Sequence, residues 1–109
     1  MNSQKQMISI ARTILSDAEV LLFDDITTSL DPDTAKLVPK LIDNLKKDHT
    51  IIMITKKPEL MKTADKIVVL DHGKINDIGT HKHLTQTNEI YQMLQSRKSP
   101  STIGVFDKV

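Results

Sequence analysis

The opening segment of the chain has the hydrophobic spacing of an amphipathic helix. Between residues 3 and 15, apolar side chains recur three or four positions apart, and polar residues fill much of the space between them. The apolar positions of this stripe are Met7, Ile10, Ala11 and Ile14. The pattern predicts a helix that ends near Ser16.

Two short apolar runs predict strands. Residues 20–23 read Val-Leu-Leu-Phe and are followed by Asp24 and Asp25, and residues 50–54 read Thr-Ile-Ile-Met-Ile. Continuous runs of this length are typical of strands that are buried on both faces of a parallel sheet. We therefore expect the two acids to lie at a rim of the sheet.

The segment between these strands predicts a helix with an irregular start. Asp31 can cap the helix and Pro32 suits its first position, after which one apolar face extends to about Lys47. Pro39 inside a helix would cost ~3 kcal/mol. We therefore expect a kink or a late start at this proline.

The remaining pattern predicts a hairpin, short helices and a tail. A short helix is expected over residues 58–63, and residues 66–70 and 74–78 flank a turn at Asp71-His72-Gly73. Thr80 can cap the next helix, and a last apolar stripe covers residues 90–94. Residues 1–95 are expected to form the domain, and residues 96–109 a mobile C-terminal tail. Strands that alternate with helices predict an α/β fold, in which ligands bind at the carboxyl ends of parallel strands.

Composition narrows the classes of partner. The chain has 109 residues, enough for one domain, and a formal net charge of +1, which gives no electrostatic reason to expect nucleic acid. Cysteine is absent from the sequence, which excludes disulfides and thiolate metal sites. No apolar stretch approaches the ~18–20 residues that span a bilayer, so a membrane role would require a partner.

The order of several motifs resembles the ATP-binding cassette (ABC) family. Residues 4–12 resemble the helix after the family's signature motif, residues 21–25 resemble Walker B, and residues 29–31 resemble the D-loop. Residues 54–56 correspond to the switch region, and residues 64–74 resemble the closing hairpin of export-type transporters. The resemblance covers residues 3–94. It implies the C-terminal part of a P-loop (RecA-like) ATPase domain, with a mainly parallel sheet flanked by helices and a terminal β-hairpin.

The resemblance implies roles for three residues at the strand ends. Asp24 corresponds to the magnesium-site carboxylate, although a strand-terminal Asp can also simply cap a turn. Asp25 replaces the family's water-positioning glutamate and is one methylene shorter, about 1.5 Å in reach. Lys56 replaces the switch histidine with a side chain that only donates hydrogen bonds. The shorter Asp25 predicts weak hydrolysis, since a misplacement of this size can cost ~10²-fold in rate. Lys56 predicts the same, because it cannot easily relay or position a proton. The alternative for Asp25 and Lys56 is a solvated side chain.

The resemblance also implies a contact surface for nucleotide and for a second domain. Asn2, Ser3 and Gln4 stand where the signature has Gly-Gly-Gln, so the side chains of Asn2 and Ser3 are expected to obstruct close approach to phosphate. Ser29 and Asp31 belong to the D-loop by resemblance. Helix capping by Asp31 alone is the other interpretation.

The phosphate-binding loop is missing from the sequence. Gly73, Gly79 and Gly104 nowhere satisfy G-x-x-x-x-G-K-[ST], so we expect a fragment, an internal start or one piece of a larger polypeptide, inactive by itself.

The resemblance further implies a complete protein of which this chain is part. Its cofactors would be ATP and Mg²⁺, and its partners a transmembrane domain and a second nucleotide-binding domain, identical or different. It would lie in the cytoplasm at the inner face of the cell membrane. The alternative is a non-catalytic remnant or docking module, and a cassette ATPase acting on DNA or ribosomes is the weakest hypothesis.

Overall fold

Strands alternate with helices in the first part of the chain, and a hairpin, two helices and a final strand follow. The computed structural model describes residues 2–96 and 102–106. In these residues the elements are α1 (Asn2–Leu15), β1 (Val20–Asp24), α2 (Pro32–Ala35), α3 (Val38–Leu45), β2 (Thr50–Thr55), α4 (Pro58–Met61), β3 (Lys66–Asp71), β4 (Lys74–Gly79), α5 (His81–Thr87), α6 (Glu89–Ser96) and β5 (Thr102–Phe106).

The strands form one mixed sheet in the order β1-β2-β5-β3-β4. β1 pairs with β2 in parallel, whereas β5 pairs antiparallel with both β2 and β3, and β4 pairs antiparallel with β3. The α/β class and the terminal hairpin are confirmed. The sheet is mixed rather than mainly parallel, because β4 and β5 both run against the direction of β1, β2 and β3.

The final strand corrects the expected domain boundary. Residues 102–106 were expected within a mobile tail, but they form β5 in the interior of the sheet, so the prediction is wrong for this segment. Phe106 is only 1% exposed, and Gly104 lies opposite Met53 on one side and Ile67 on the other. The physical reason is that β2 and β3 each present a row of backbone groups that must be paired. The rest of the expected tail, residues 97–101 and 107–109, lies outside the described residues.

The core lies on one face of the sheet. In β1, Leu21 and Phe23 are 1% and 2% exposed, whereas Val20 and Leu22 are 53% and 60% exposed. β2 shows the same alternation, with Ile51, Met53 and Thr55 buried and the residues between them half-buried. The prediction that β1 is buried on both faces is therefore wrong. The described helices cover one face of the sheet, and β1 is also an edge strand.

Local signals located the helices correctly. α1 is confirmed, and the expected late start at Pro39 is confirmed as a break between α2 and α3, in which Pro39 lies in the first turn of α3. Asp31 caps α2 by accepting the backbone N–H of Thr34, and Thr80 caps α5 by accepting that of His83. The hairpin turn places His72 and Gly73 at φ values of 51° and 73°, which glycine adopts without strain.

Candidate functional site

The ends of β1 and β2 bring together the acids and the lysine singled out in the sequence. The two strands are parallel and in register, with Asp24 opposite Ile54. The backbone N–H of Asp25 donates to the carbonyl oxygen of Ile54 at 2.8 Å, so the chain leaving β1 stays against the end of β2. Lys56 follows β2 directly. We call Asp24, Asp25 and Lys56 the strand-end site.

A tight turn holds the two carboxylates at this rim. Asp25 has a φ of 53°, a left-handed conformation that is uncommon outside glycine but enriched in Asp. The carbonyl oxygen of Asp25 then accepts the N–H of Thr28 at 3.4 Å, which continues the turn. Asp24, Asp25 and Lys56 are all exposed. Their charged groups are therefore accessible to a ligand, while the backbone beneath them is held by hydrogen bonds.

Thr27 is a residue of this turn and was not singled out in the sequence. Its side chain is 2% exposed, and among the described residues its Oγ1 is a buried polar atom without a hydrogen-bond partner. It lines a surface depression of about 380 Å³ together with Lys36, Lys57 and Glu59. A lone threonine in a turn carries no sequence signal that could have indicated its burial.

A second contact joins the start of α1 to the start of α2. The hydroxyl of Ser3 donates to Oδ1 of Asp31 at 2.9 Å, and the hydroxyl of Thr34 donates to the same oxygen at 2.7 Å. These hydrogen bonds, first from Thr34 and then from Ser3, lower the pKa of Asp31 below its ordinary value of 3.8. We call this arrangement the Ser3–Asp31 contact. It confirms the capping interpretation of Asp31 and leaves its contact with a second domain as a prediction.

The other residues assigned by resemblance lie close to this contact in sequence. Asn2 and Gln4 are exposed residues in the first turn of α1, and Ser29 is exposed in the turn that precedes Asp31. Gln4 also lines a depression of about 430 Å³ beside Ser3 and Asp31. Met1 lies outside the described residues.

The residues at the strand-end site are compatible with magnesium but not with a complete protein-made metal cage. Within residues 2–96 and 102–106, there is no group of three or more His, Asp or Glu side chains arranged to hold a metal ion. Mg²⁺ usually keeps several waters and is bound by one or two carboxylates together with phosphate oxygens. The exposed Asp24 and Asp25 carboxylates fit this limited share of the ligands.

His81 has a structural partner. Its Nδ1 lies 2.8 Å from the hydroxyl oxygen of Tyr91, and the two rings pack edge to face. This contact ties α5 to α6.

Comparison with known proteins shows that the chain is similar to part of the ABC exporters, which confirms the resemblance drawn from its motifs. It is 39% identical to the ATP-dependent lipid A-core flippase of Haemophilus influenzae (strain 86-028NP) over 93 residues, which are 85% of this chain and 16% of the flippase. It is 37% identical to the flippase of Neisseria gonorrhoeae over 102 residues, which are 94% of this chain and 16% of that protein. No family model matches the sequence.

A solved structure supports the same conclusion about the fold. A bacterial Atm1-family ABC exporter with ATP bound superposes with a TM-score of 0.81 at 27% identity, covering 92% of this chain and 18% of the exporter chain. The chain thus spans only about a sixth of the length of the proteins it matches. None of its described helices is both long and apolar enough to cross a membrane.

Proposed function

We propose that this chain is the C-terminal part of the nucleotide-binding domain of an ABC exporter, in which ATP binding and slow hydrolysis are coupled to membrane transport. The observation that carries the proposal is the strand-end site, where two accessible carboxylates and a lysine meet at the carboxyl ends of parallel strands. This is the rim at which α/β proteins bind ligands. The similarity to ABC exporters supports the same assignment.

Asp24 is proposed as the magnesium ligand. It ends β1, and its backbone is held in register with Ile54 of β2 while its side chain is exposed. A bound Mg²⁺ would neutralise charge on the phosphate oxygens of ATP. The role of Asp24 is to fix one position of that ion relative to the sheet.

Asp25 and Lys56 are proposed to limit turnover. The φ of Asp25 and its hydrogen bond to Ile54 fix its backbone, so the shorter side chain cannot be compensated by a shift of the turn. Lys56 can attract a phosphate oxygen but cannot accept a hydrogen bond. The pair is therefore suited to holding a nucleotide and poorly suited to orienting an attacking water.

The start of α1 and the D-loop are proposed to face a second nucleotide-binding domain. Asn2, Ser3 and Gln4 would approach a nucleotide held by that domain, and Ser29 and Asp31 would lie across the same interface. In this chain the hydroxyl of Ser3 is engaged by Asp31. This supports a weakened contact with the nucleotide of that domain. The replacements at Asp25 and Lys56, not this contact, are the basis for proposing the degenerate half of a dimer in which the other site performs most of the hydrolysis.

The names of the relatives also suggest a further partner for this chain and its location in the cell. They are named as exporters and flippases, which favours a transmembrane domain as partner and a position at the inner face of the cell membrane.

The metal role is tested in the complete polypeptide that contains this chain, by calorimetric titration with ATP in the presence and absence of Mg²⁺. Asp24→Asn should weaken binding of the magnesium complex at least about tenfold, or roughly 1.4 kcal/mol. Asp33→Asn, an exposed acid in the first turn of α2, is the matched control and should bind as the parent does. Equal affinities of the two variants would refute the metal role.

The low-turnover assignment is tested by restoring the family residues. Asp25→Glu combined with Lys56→His should raise the ATPase rate toward ~10²-fold. Lys57→His controls for a histidine placed one residue away. An unchanged rate would show that these positions do not limit turnover. Failure of the complete protein to bind magnesium–ATP in any variant would instead favour the non-catalytic docking module.

A further inference from the structure

The two edges of the sheet are protected to different degrees. In the part of the chain that the structure describes, β4 forms one edge and β1 the other. β4 begins with Lys74, and its register with β3 shifts between Val69 and Leu70. The side chain of Asp77 accepts the backbone N–H of Ile78 at 2.8 Å, so this donor is already used within β4. Charged residues and bulges at an edge keep further strands from pairing there.

β1 has none of these protections. Its sequence, Val-Leu-Leu-Phe-Asp, contains no lysine and no proline, and its register with β2 is continuous over all 5 residues. The side chains of Val20 and Leu22 are apolar, yet these residues are 53% and 60% exposed. An apolar edge strand without a bulge or a basic residue is a template for pairing with another strand.

The backbone groups of alternate residues in β1 point away from β2. The N–H of Asp25 donates to the carbonyl oxygen of Ile54 at 2.8 Å, and the carbonyl oxygen of Glu19 accepts an N–H from the start of β2 at 2.9 Å. The odd-numbered residues of β1 therefore face β2. Because backbone groups alternate along a strand, the even-numbered residues face outward. We call these outward groups the β1 edge, which comprises Val20, Leu22 and Asp24.

We propose that the β1 edge pairs with the β1 edge of a second copy of this chain, in an antiparallel arrangement with Leu22 at the twofold axis. The two Leu22 residues then lie opposite each other, and Val20 of each copy lies opposite Asp24 of the other. All three outward-facing residues are paired in this register, so the strands exchange about six backbone hydrogen bonds. The proposal goes beyond the proposed function, because it requires no nucleotide.

A second copy fits the β1 edge because the arrangement is self-complementary. The exposed Leu22 side chains of the two copies meet across the axis, so each covers apolar surface of the other. The two Asp24 residues are about 13 Å apart along the strand, beyond the screening length of ~8–10 Å, so their charges do not oppose pairing. Once β1 is paired, only the protected β4 edge of each copy remains. The assembly therefore closes as a dimer rather than growing into a fibre.

The contact between the two copies is small. It covers one strand edge and the exposed side chains at Val20 and Leu22, which is less than the ~1,200 Å² of total area that stable interfaces bury. We therefore expect a weak dimer in exchange with the monomer, and the fraction of dimer should rise with protein concentration.

Sedimentation equilibrium of the 109-residue chain, without nucleotide, measures this association. Leu22→Lys places like charges directly opposite each other and should raise the dissociation constant of the dimer at least about tenfold. Ile75→Lys is the matched control, because Ile75 is an apolar residue of β4 with a similar exposure of 61%. It should leave the dissociation constant unchanged. Circular dichroism checks that both variants are folded.

A single cysteine tests the register of the pair. Residues of a hydrogen-bonded antiparallel pair have Cα atoms about 5.5 Å apart, within the range that a disulfide spans. Because the sequence contains no cysteine, Leu22→Cys can form a disulfide only with the same residue of a second copy. With oxidised glutathione as the oxidant, it should cross-link at least about tenfold faster than Val20→Cys, whose two copies lie about 13 Å apart along the strand.

Equal cross-linking of Leu22→Cys and Val20→Cys would overturn the proposal, because random collision would explain it. A chain that stays monomeric at all concentrations would also overturn it. So would a dimer that Ile75→Lys weakens as much as Leu22→Lys does, since the association would then belong to the uncovered face of the sheet. Because nucleotide is left out, this proposal and the proposed function can fail separately.

Discussion

Truncation of Phe106 to alanine measures how far β5 contributes to the stability of the isolated chain. Phe106 is 1% exposed, lies opposite Ile51, and belongs to the buried core cluster. Removing a buried phenylalanine side chain costs about 3–5 kcal/mol, because transfer free energy is lost and a cavity remains. A domain of this size has a total stability of about 5–15 kcal/mol, so Phe106→Ala should remove a large part of it.

The assay is urea denaturation followed by circular dichroism, with Val105→Ala as the control. Val105 is the neighbouring residue in β5 and is only half-buried, so its truncation should cost about 1 kcal/mol or less. Both variants keep the backbone of the strand. Equal costs of 1 kcal/mol or less for the two variants would refute the reasoning, because β5 would then lie outside the cooperatively folded core.

Three further predictions concern caps and turns. Ser3→Ala should raise the pKa of Asp31 partway toward 3.8, as measured by NMR titration, and an unchanged pKa would contradict the Ser3–Asp31 contact. Because the folded-state pKa is lowered, Asp31 stabilises the fold above pH 3.8 and loses this contribution as pH falls through the folded-state pKa. Thr80→Ala should cost about 1 kcal/mol in urea denaturation while Thr80→Ser costs less, and equal losses would argue against capping of α5. Gly73→Ala should cost about 1–2 kcal/mol although space is available for its Cβ, and Gly73→Asn should cost less; a neutral Gly73→Ala would show that the turn relaxes.

The order of the sequence motifs predicted part of the candidate site. The acids after residue 23 were predicted to end a strand at a rim of the sheet, and the structure places them there. The sequence could not show that Asp25 adopts a positive φ and donates to Ile54, because that bond depends on the pairing of two strands separated by α2 and α3. The proposed roles of Asp24, Asp25 and Lys56 remain predictions.

The sequence by itself determined the features that depend on neighbouring residues. The caps at Asp31 and Thr80, the late helix start at Pro39 and the hairpin turn at Gly73 each follow from backbone preferences within about one turn of chain.

Only the tertiary structure decided which strands are neighbours and which face of the sheet is covered. The Ser3–Asp31 contact joins residues 28 positions apart, and β5 is inserted between β2 and β3 from the far end of the chain. The composition of residues 102–106 does not specify such a partner. The unpaired backbone edges of β2 and β3 do, and they exist only once the rest of the sheet has formed.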